Sequence, residues 1–200
     1  MMVYLQTERT VIRDYYEEDL NTHHALFSDK TAMYYLQDIA TKTMEESRRN
    51  LQDAINEVKN VNRKFYFLRI EEKATNEHIG EIGYTVTEFT PLGKLVGMGY
   101  FIRPKFWSRG YTTEALGELM RFAFEENDVF RISCGCIKDN IGSEKVMIKS
   151  GMIKEADFKS LVWHDGKLKD RVEYRLLKTE WEKFHKGGII FNEITRKEIG

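Results

Sequence analysis

Several absences in this 200-residue sequence exclude whole classes of protein. No apolar run approaches the roughly 20 residues that a membrane helix requires. The N-terminus, residues 1–8, lacks a charged segment followed by an apolar one, which argues against a signal peptide. Lys and Arg number 31 against 32 Asp and Glu, so the net charge of −1 creates no field that attracts nucleic acid or an acidic membrane. We therefore expect a cytoplasmic protein with neither nucleic acid nor membrane as a partner.

Cysteine is also scarce, with Cys134 and Cys136 as the only two. Residues at i and i+2 of a strand point to the same face. A zinc site would need two more ligands at suitable spacing, and the sequence offers none. We therefore predict that both cysteines are small buried apolar side chains and that the protein holds no metal.

Apolar residues, by contrast, suffice for a core, at 42% of the sequence with 12% aromatic. A chain of this length fits one domain. Strand patterns lie before, between and after four helical patterns, which predicts a mixed α/β sheet with helices on both faces. We assign residues 1–183 to this single domain and residues 184–200 to a C-terminal tail.

The most informative stretch runs from Gly97 to Leu116. Its first half favours extended backbone, and Pro104 disfavours α geometry at the residue before it. From Thr112 onward, apolar residues recur with helical spacing. A glycine turn entering a helix offers unpaired N–H groups and the positive end of the helix dipole to phosphate. Neither the P-loop motif G-x-x-x-x-G-K-[ST] nor the dinucleotide-binding motif G-x-G-x-x-G occurs. The residues alone therefore do not decide which phosphate-bearing ligand binds here.

One run in that stretch, Trp107 to Ala115 (W-S-R-G-Y-T-T-E-A), resembles the acyl-CoA pyrophosphate loop of the GNAT superfamily of N-acetyltransferases. It is most similar to the branch that contains the ribosomal-protein N-terminal acetyltransferases, where W-G-K-G-Y-A-T-E-A is usual. Ser108 stands where that branch has glycine, and Thr112 where it has alanine or glycine. Both hydroxyls can donate to a phosphate.

A second resemblance covers residues 140–152 and follows the family pattern N-x-x-S-x-x-(apolar)-x-x-K-x-G-F, with Met152 in the aromatic position. Asn140 is predicted to cap a helix here. Many GNAT enzymes carry a tyrosine general acid four residues after the serine, but this chain has Met147 there. The resemblance makes Ser143 the substitute candidate. Together with supporting patterns near both ends, the likeness covers about residues 5–183.

The resemblance implies the GNAT fold, a largely antiparallel sheet of six or seven strands with a splayed central pair that receives the pantetheine arm of acetyl-CoA. The implied cofactor-binding residues fall into three groups. They are the backbone of Phe101, Ile102 and Arg103 for pantetheine; Ser108, Arg109, Gly110, Tyr111, Thr112 and Thr113 for pyrophosphate; and Asn140 and Ser143 beside the thioester.

The implied reaction is attack of a neutral amine on the acetyl thioester of acetyl-CoA. Glu81 and Glu88, on or beside the strand before the splay, are the candidate bases, and the sequence does not rank them. A protein α-amine, with a pKa of about 7.7–8.0, is substantially neutral near pH 7.4, whereas a lysine near 10.4 is not. An α-amine acceptor therefore needs only a weak base.

The acceptor amine and the assembly state are left open. A protein N-terminus is one acceptor, and a small amine or an antibiotic is another. Because the tyrosine is missing and the loop is altered, a non-catalytic acyl-CoA-binding or sensing module is an alternative from a different class. A homodimer is one option for the assembly.

Overall fold

A single sheet organises the residues that the structure, a computed structural model, describes, which are residues 2–186. Its strands are β1 (Tyr4–Gln6), β2 (Thr10–Arg13), β3 (Phe65–Glu72), β4 (Glu77–Thr90), β5 (Gly93–Ile102), β6 (Val129–Ile137), β7 (Ile153–His164) and β8 (Lys167–Leu177). The helices are α1 (Leu20–Phe27), α2 (Met44–Glu57), α3 (Tyr111–Glu125), α4 (Ile141–Lys149) and α5 (Lys178–Lys186). The predicted tail thus begins inside α5, and residues 187–200 lie outside the described residues.

The sheet is mixed and largely antiparallel, as predicted, with the order β1-β2-β3-β4-β5-β6-β8-β7. Only β5 and β6 run parallel; the other neighbouring pairs are antiparallel. The described residues form eight strands instead of the expected six or seven. The additional strand is β1, whose three residues are too few to show a reliable period of two.

One face of the sheet packs against α3. Ala115, Leu116 and Leu119 of this helix are fully buried, because apolar residues recur there at three- and four-residue spacing. They share one hydrophobic cluster with alternate residues of the strands, among them Leu68 and Ile82. Burying each such side chain contributes about 1.5–3 kcal/mol. This cluster is the main core.

The opposite face, which we call the α1 face, is covered by α1 and α2. Phe67 of β3 packs with Leu51 of α2, and the ring of Phe101 of β5 meets that of Phe27 of α1 edge-on at 5.1 Å. Helices therefore cover both faces, as predicted. Farther along this face, β6 and β8 present glycine and partly exposed charged side chains, such as Glu173. The α1 face is thus closed over β3 to β5 and more open beyond them.

Candidate active site

The predicted phosphate loop, residues 104–113, forms a tight turn at the start of α3. Ser108 and Gly110 both have positive φ, at 59° and 84°. Gly110 is the residue before the helix, where a left-handed conformation suits glycine because it has no Cβ. The first N–H groups of α3 have no partner within the helix, and the dipole adds partial positive charge there. The turn therefore presents donors to an anion, with Ser108 and Arg109 exposed beside them.

A partly buried network fixes this loop to the residues just before β2. Arg9 donates from Nη1 to the carbonyl oxygen of Arg109 at 3.0 Å and from Nε to Glu114 Oε2 at 2.6 Å. Thr7 donates to Glu114 Oε1 at 2.5 Å. The hydroxyl of Tyr111 is hydrogen-bonded to Glu72. Glu114, a position of the sequence motif to which no role was assigned, therefore anchors the first turn of α3.

β5 and β6 separate beside this loop. They are paired from Lys94 and Val129 up to Gly97 and Ser133. Beyond that point, the rest of β5 pairs only with β4 and the rest of β6 only with β8 among the described strands. The gap between residues 98–102 and 134–137, which we call the strand cleft, is the splay that the family resemblance implied.

The main chain of β5 turns alternate residues toward this cleft. The N–H of Arg103 donates to the Ile79 carbonyl of β4 at 2.7 Å, and Phe101 lies opposite Glu81. Because an antiparallel strand alternates its hydrogen-bonding direction, the main-chain groups of Phe101 and Arg103 face β4. Those of Ile102, together with Tyr100, face the cleft. The expectation for Phe101 and Arg103 is therefore corrected, since β4 already uses those groups.

The first turn of α4 borders the cleft on the other side. Asn140 caps the helix as predicted, since its Oδ1 accepts from the Ser143 N–H at 3.2 Å. The hydroxyl of Tyr100 donates to the Ser143 carbonyl at 2.8 Å and accepts from Ser143 Oγ at 3.2 Å. Burial raises the pKa of Tyr100, so this hydroxyl stays protonated. Met147 lies fully buried in the main core. Tyr100 was missed because no local pattern distinguishes it from an ordinary strand tyrosine.

Of the two predicted carboxylates, only Glu81 lies beside the cleft. Glu81 is beside Phe101 at the open end, 8% exposed, and Tyr15 donates to it at 2.9 Å. Burial raises the pKa of Glu81 to about 8. Glu88 is exposed and lies opposite Leu95, where β5 and β6 are still paired. Six residues of strand separate Leu95 from Phe101, which is about 20 Å. Glu88 is therefore not brought to the open end.

The other sequence expectations concern metals, thiols and membranes. Cys134 and Cys136 are free and buried on the core face, and burial raises the pKa of Cys134 to about 12. Within residues 2–186, no three His, Cys, Asp or Glu side chains are grouped to hold a metal ion. None of the helices in that range has both the length and the apolar character needed to cross a bilayer.

An open surface lies over the cleft on the α1 face. Gly97 and Gly99 of β5 have nothing within 4 Å of the position of a Cβ. The segment between α1 and α2, residues 28–43, forms a wall at one end. There His164 Nε2 donates to the Tyr34 carbonyl at 2.7 Å, and its ring stacks on Tyr35 at 5.5 Å. A second substrate can therefore approach the cleft from this face.

Two features together define a class of domain: a pair of strands that separates, and a helix N-terminus that is open beside it. The helix N-terminus binds the phosphate of an extended carrier molecule, and the carrier's arm lies between the separated strands as an added strand would. The family model described as the acetyltransferase (GNAT) domain matches residues 9–153. That range contains the phosphate loop, the strand cleft and the capped start of α4. The chain therefore belongs to the GNAT family of acetyltransferases, a family that uses acetyl-CoA as its donor.

Similar proteins agree with this assignment. YnaD of Bacillus subtilis (strain 168), an uncharacterized N-acetyltransferase, is 26% identical over 186 residues, covering 90% of this chain and 99% of YnaD. The ribosomal-protein-S5-alanine acetyltransferase of Vibrio fischeri has a TM-score of 0.77 at 19% identity, covering 90% of this chain and 98% of that one. The spermidine N-acetyltransferase of Vibrio cholerae, in complex with CoA and spermine, has a TM-score of 0.73 at 14% identity, covering 86% and 97%. The two structures show the shared fold.

These findings confirm N-acetyl transfer as the activity. The non-catalytic sensing module is not favoured, because the matched family and the named relatives are acetyltransferases. The solved relatives carry different acceptors in their names, a ribosomal protein and a polyamine.

Proposed function

We propose that the protein transfers the acetyl group of acetyl-CoA to the α-amine of a protein N-terminus, with the strand cleft as the pantetheine site. The observation that carries this proposal is the parting of β5 and β6 after Gly97 and Ser133. The parting lies between the phosphate loop and the first turn of α4. An extended arm can thus reach from the loop to Ser143 along the edge of β5, which pairs with no described strand on that side beyond Gly97.

In this proposal three parts of the site bind the cofactor. N–H groups of residues 108–113 bind the pyrophosphate, and Arg109 adds a charge-assisted contact. The main chain of Tyr100 and the N–H of Ile102 bind the pantetheine amides as an added strand would, while the Ile102 carbonyl accepts from Trp107 Nε1 at 2.8 Å. One N–H of this strand polarises the thioester carbonyl and stabilises the oxyanion. Asn140 holds the first turn of α4, so that the Ser143 hydroxyl lies beside the leaving sulfur.

The chemistry needs little acid catalysis. The thiol of CoA, with a reference pKa near 8.5, leaves readily near neutral pH. A hydrogen bond from Ser143 is therefore sufficient, and the tyrosine replaced by Met147 is dispensable. Removing the acceptor's proton is the harder step. Glu81, at the open end of the cleft, is supported over Glu88 by its position.

The acceptor class is supported by the open surface on the α1 face. Gly97 and Gly99 of β5 add no side chain to it, which gives an extended peptide room above this part of the sheet. A protein α-amine is also the acceptor whose pKa demands least of the base. The ribosomal-protein-S5-alanine acetyltransferase of Vibrio fischeri shares the fold. The acceptor in its name is the acceptor of that enzyme, and we extend only the acceptor class to this protein as part of the proposal.

Cofactor binding is tested by calorimetric titration with acetyl-CoA and with adenosine diphosphate. We expect one-site binding of acetyl-CoA and weaker binding of the fragment, because the fragment cannot fill the cleft. Equal affinity for both ligands would contradict the pantetheine site. The control is Gly117→Ala, an exposed position of α3 with nothing within 4 Å of its Cβ, which we expect to bind normally.

The acceptor is tested by release of CoA thiol in the presence of candidate amines. We expect release with peptides that carry a free N-terminus and none with the same peptides after N-terminal acetylation. Spermidine is the comparison amine. Release with spermidine but with no peptide would refute the α-amine acceptor while leaving the N-acetyltransferase in place.

A further inference from the structure

Glu173 of β8 lies at the strand cleft, although no sequence pattern marked it. It is paired with Gly135 of β6, and both face the α1 face, since Cys134 and Tyr174 beside them belong to the core cluster on the other face. A Cβ at position 135 would collide with the Glu173 carboxylate, whose Oε2 would be 2.2 Å away and Oε1 2.5 Å away. Glycine at 135 therefore allows this carboxylate to lie over the backbone of β6.

The position of Gly135 sets the level of the carboxylate along the cleft. The last paired residues are Gly97 and Ser133, so Gly135 and Gly99 come two residues, or about 7 Å, beyond the point where the strands part. Gly99 has nothing within 4 Å of a Cβ position on the same face. No side chain of these two residues stands between the carboxylate and the main chain of Tyr100. This is the level at which the thioester is placed in the proposed function.

Charged neighbours hold the carboxylate without covering it. Arg171 Nε donates to Glu173 Oε1 at 2.5 Å, and the Glu173 side chain stays 27% exposed. Glu173 Oε2 accepts no hydrogen bond from the described residues. Two other charged residues on this face of β8 are also in ion pairs, Arg175 with Glu180 and Lys169 with Asp139. From β6 and β7 the facing neighbours are Gly135 and Ala156, neither of which titrates.

Glu173 therefore suits proton transfer to an arriving amine better than Glu81 does. Glu81 is almost fully buried and hydrogen-bonded by Tyr15, whereas the Glu173 side chain is 27% exposed and its Oε2 lies over Gly135, a residue of the strand that borders the cleft. We propose that Glu173 is the catalytic base that takes the proton of the acceptor amine, with Arg171 positioning its carboxylate over Gly135. This inference rests on the proposed function and assigns the base in it to Glu173 in place of Glu81.

The step balances as follows in atoms and charge. The acceptor ammonium gives one proton to Glu173 Oε2 and becomes a neutral amine. Its nitrogen lone pair attacks the thioester carbon, a C–N bond forms, and the C–S bond breaks with its electron pair going to the CoA sulfur. The second proton of the nitrogen goes to that thiolate, and Glu173 returns its proton to solvent. No oxidant or other co-reactant is required.

The test compares Glu173→Gln, Glu173→Asp and a matched control. The control is Glu155→Gln, because Glu155 of β7 makes a similar ion pair, to Arg131 at 2.5 Å, outside the cleft. Release of CoA thiol is measured with a peptide acceptor between about pH 6 and pH 9, spanning the α-amine pKa of about 7.7–8.0. Acetyl-CoA affinity is measured by calorimetry on each variant.

We expect E173Q to lower kcat at neutral pH by about 10²–10⁴-fold, a usual share for general base catalysis. The deficit should shrink as the pH rises past the pKa of the α-amine, because the amine then arrives neutral. E173D should retain more activity than E173Q, and E155Q should match the wild type. Acetyl-CoA affinity should be the same in all four proteins. Gly135→Ala, which displaces the carboxylate, should reproduce the kcat loss.

Three results would overturn the inference while leaving the proposed function standing. They are wild-type kcat in E173Q, a rise in KM with kcat unchanged, and a deficit that is the same at every pH. A wild-type protein that binds acetyl-CoA but releases no thiol with any amine would overturn the proposed function, and the base with it. The two failures are therefore distinguishable.

Discussion

Two glycines, one just before α3 and one within it, allow a sharp test of the phosphate loop. Gly110 precedes the helix with φ of 84°, whereas Gly117 lies exposed inside it with nothing within 4 Å of a Cβ. Forcing an L-residue into the left-handed region costs about 1–2 kcal/mol. A Cβ at 110 would meet only the end of Arg9, at 3.4 Å, so the cost is mainly backbone strain. Alanine at 117 should instead stabilise by about 0.5–1 kcal/mol, because glycine is a poor helix former.

The assay is denaturant unfolding of the wild type, Gly110→Ala and Gly117→Ala, each with and without acetyl-CoA. We expect the free energy of unfolding to fall for the first variant and to rise for the second. A ligand at 100 times its Kd adds about 2.7 kcal/mol, and this increment should shrink only for Gly110→Ala, whose turn presents the phosphate donors. If both variants gained stability equally and kept the full increment, the left-handed turn and its role would be refuted.

Two further predictions concern buried side chains of the site. Burial raises the pKa of Glu81 to about 8, whereas a glutamate in the unfolded chain has a pKa of about 4.3. Between these two pH values the folded state holds a proton that the unfolded state has lost. The free energy of unfolding therefore falls as the pH rises, by up to about 1.4 kcal/mol per pH unit. Glu81→Gln should abolish that slope in unfolding measured at several pH values, and an unchanged slope would mean that Glu81 is not its source. Tyr100→Phe should cost about 0.5–1.5 kcal/mol and lower kcat, since it frees Ser143. Tyr66→Phe, which loses a 3.2 Å bond to Asn127 away from the cleft, should cost similar stability at full kcat, and equal kcat in both would contradict the role of Tyr100.

The local elements were predictable from sequence because their signals are local. Pro104 and Gly110 mark the turn before α3, Asn140 marks the start of α4, and Asp165-Gly166 marks the β7–β8 hairpin. Hydrophobic periodicity assigned the helices that cover the sheet. The short strand β1 was not predicted, because three residues are too few to show the alternation of apolar and polar side chains that marks a strand.

What the sequence by itself determined is therefore the fold, the phosphate loop and the class of reaction, since these follow from contiguous motifs. Only the tertiary structure decided which side chains reach the cleft. Glu81 and Glu88 lie on one strand, and only the register with β5 places Glu81, and not Glu88, beside the part of β5 that borders the cleft. Tyr100 and Ser143, or Gly135 and Glu173, lie about forty residues apart and meet through sheet pairing and helix packing. Such long-range contacts depend on strand register and splay, which no local pattern encodes.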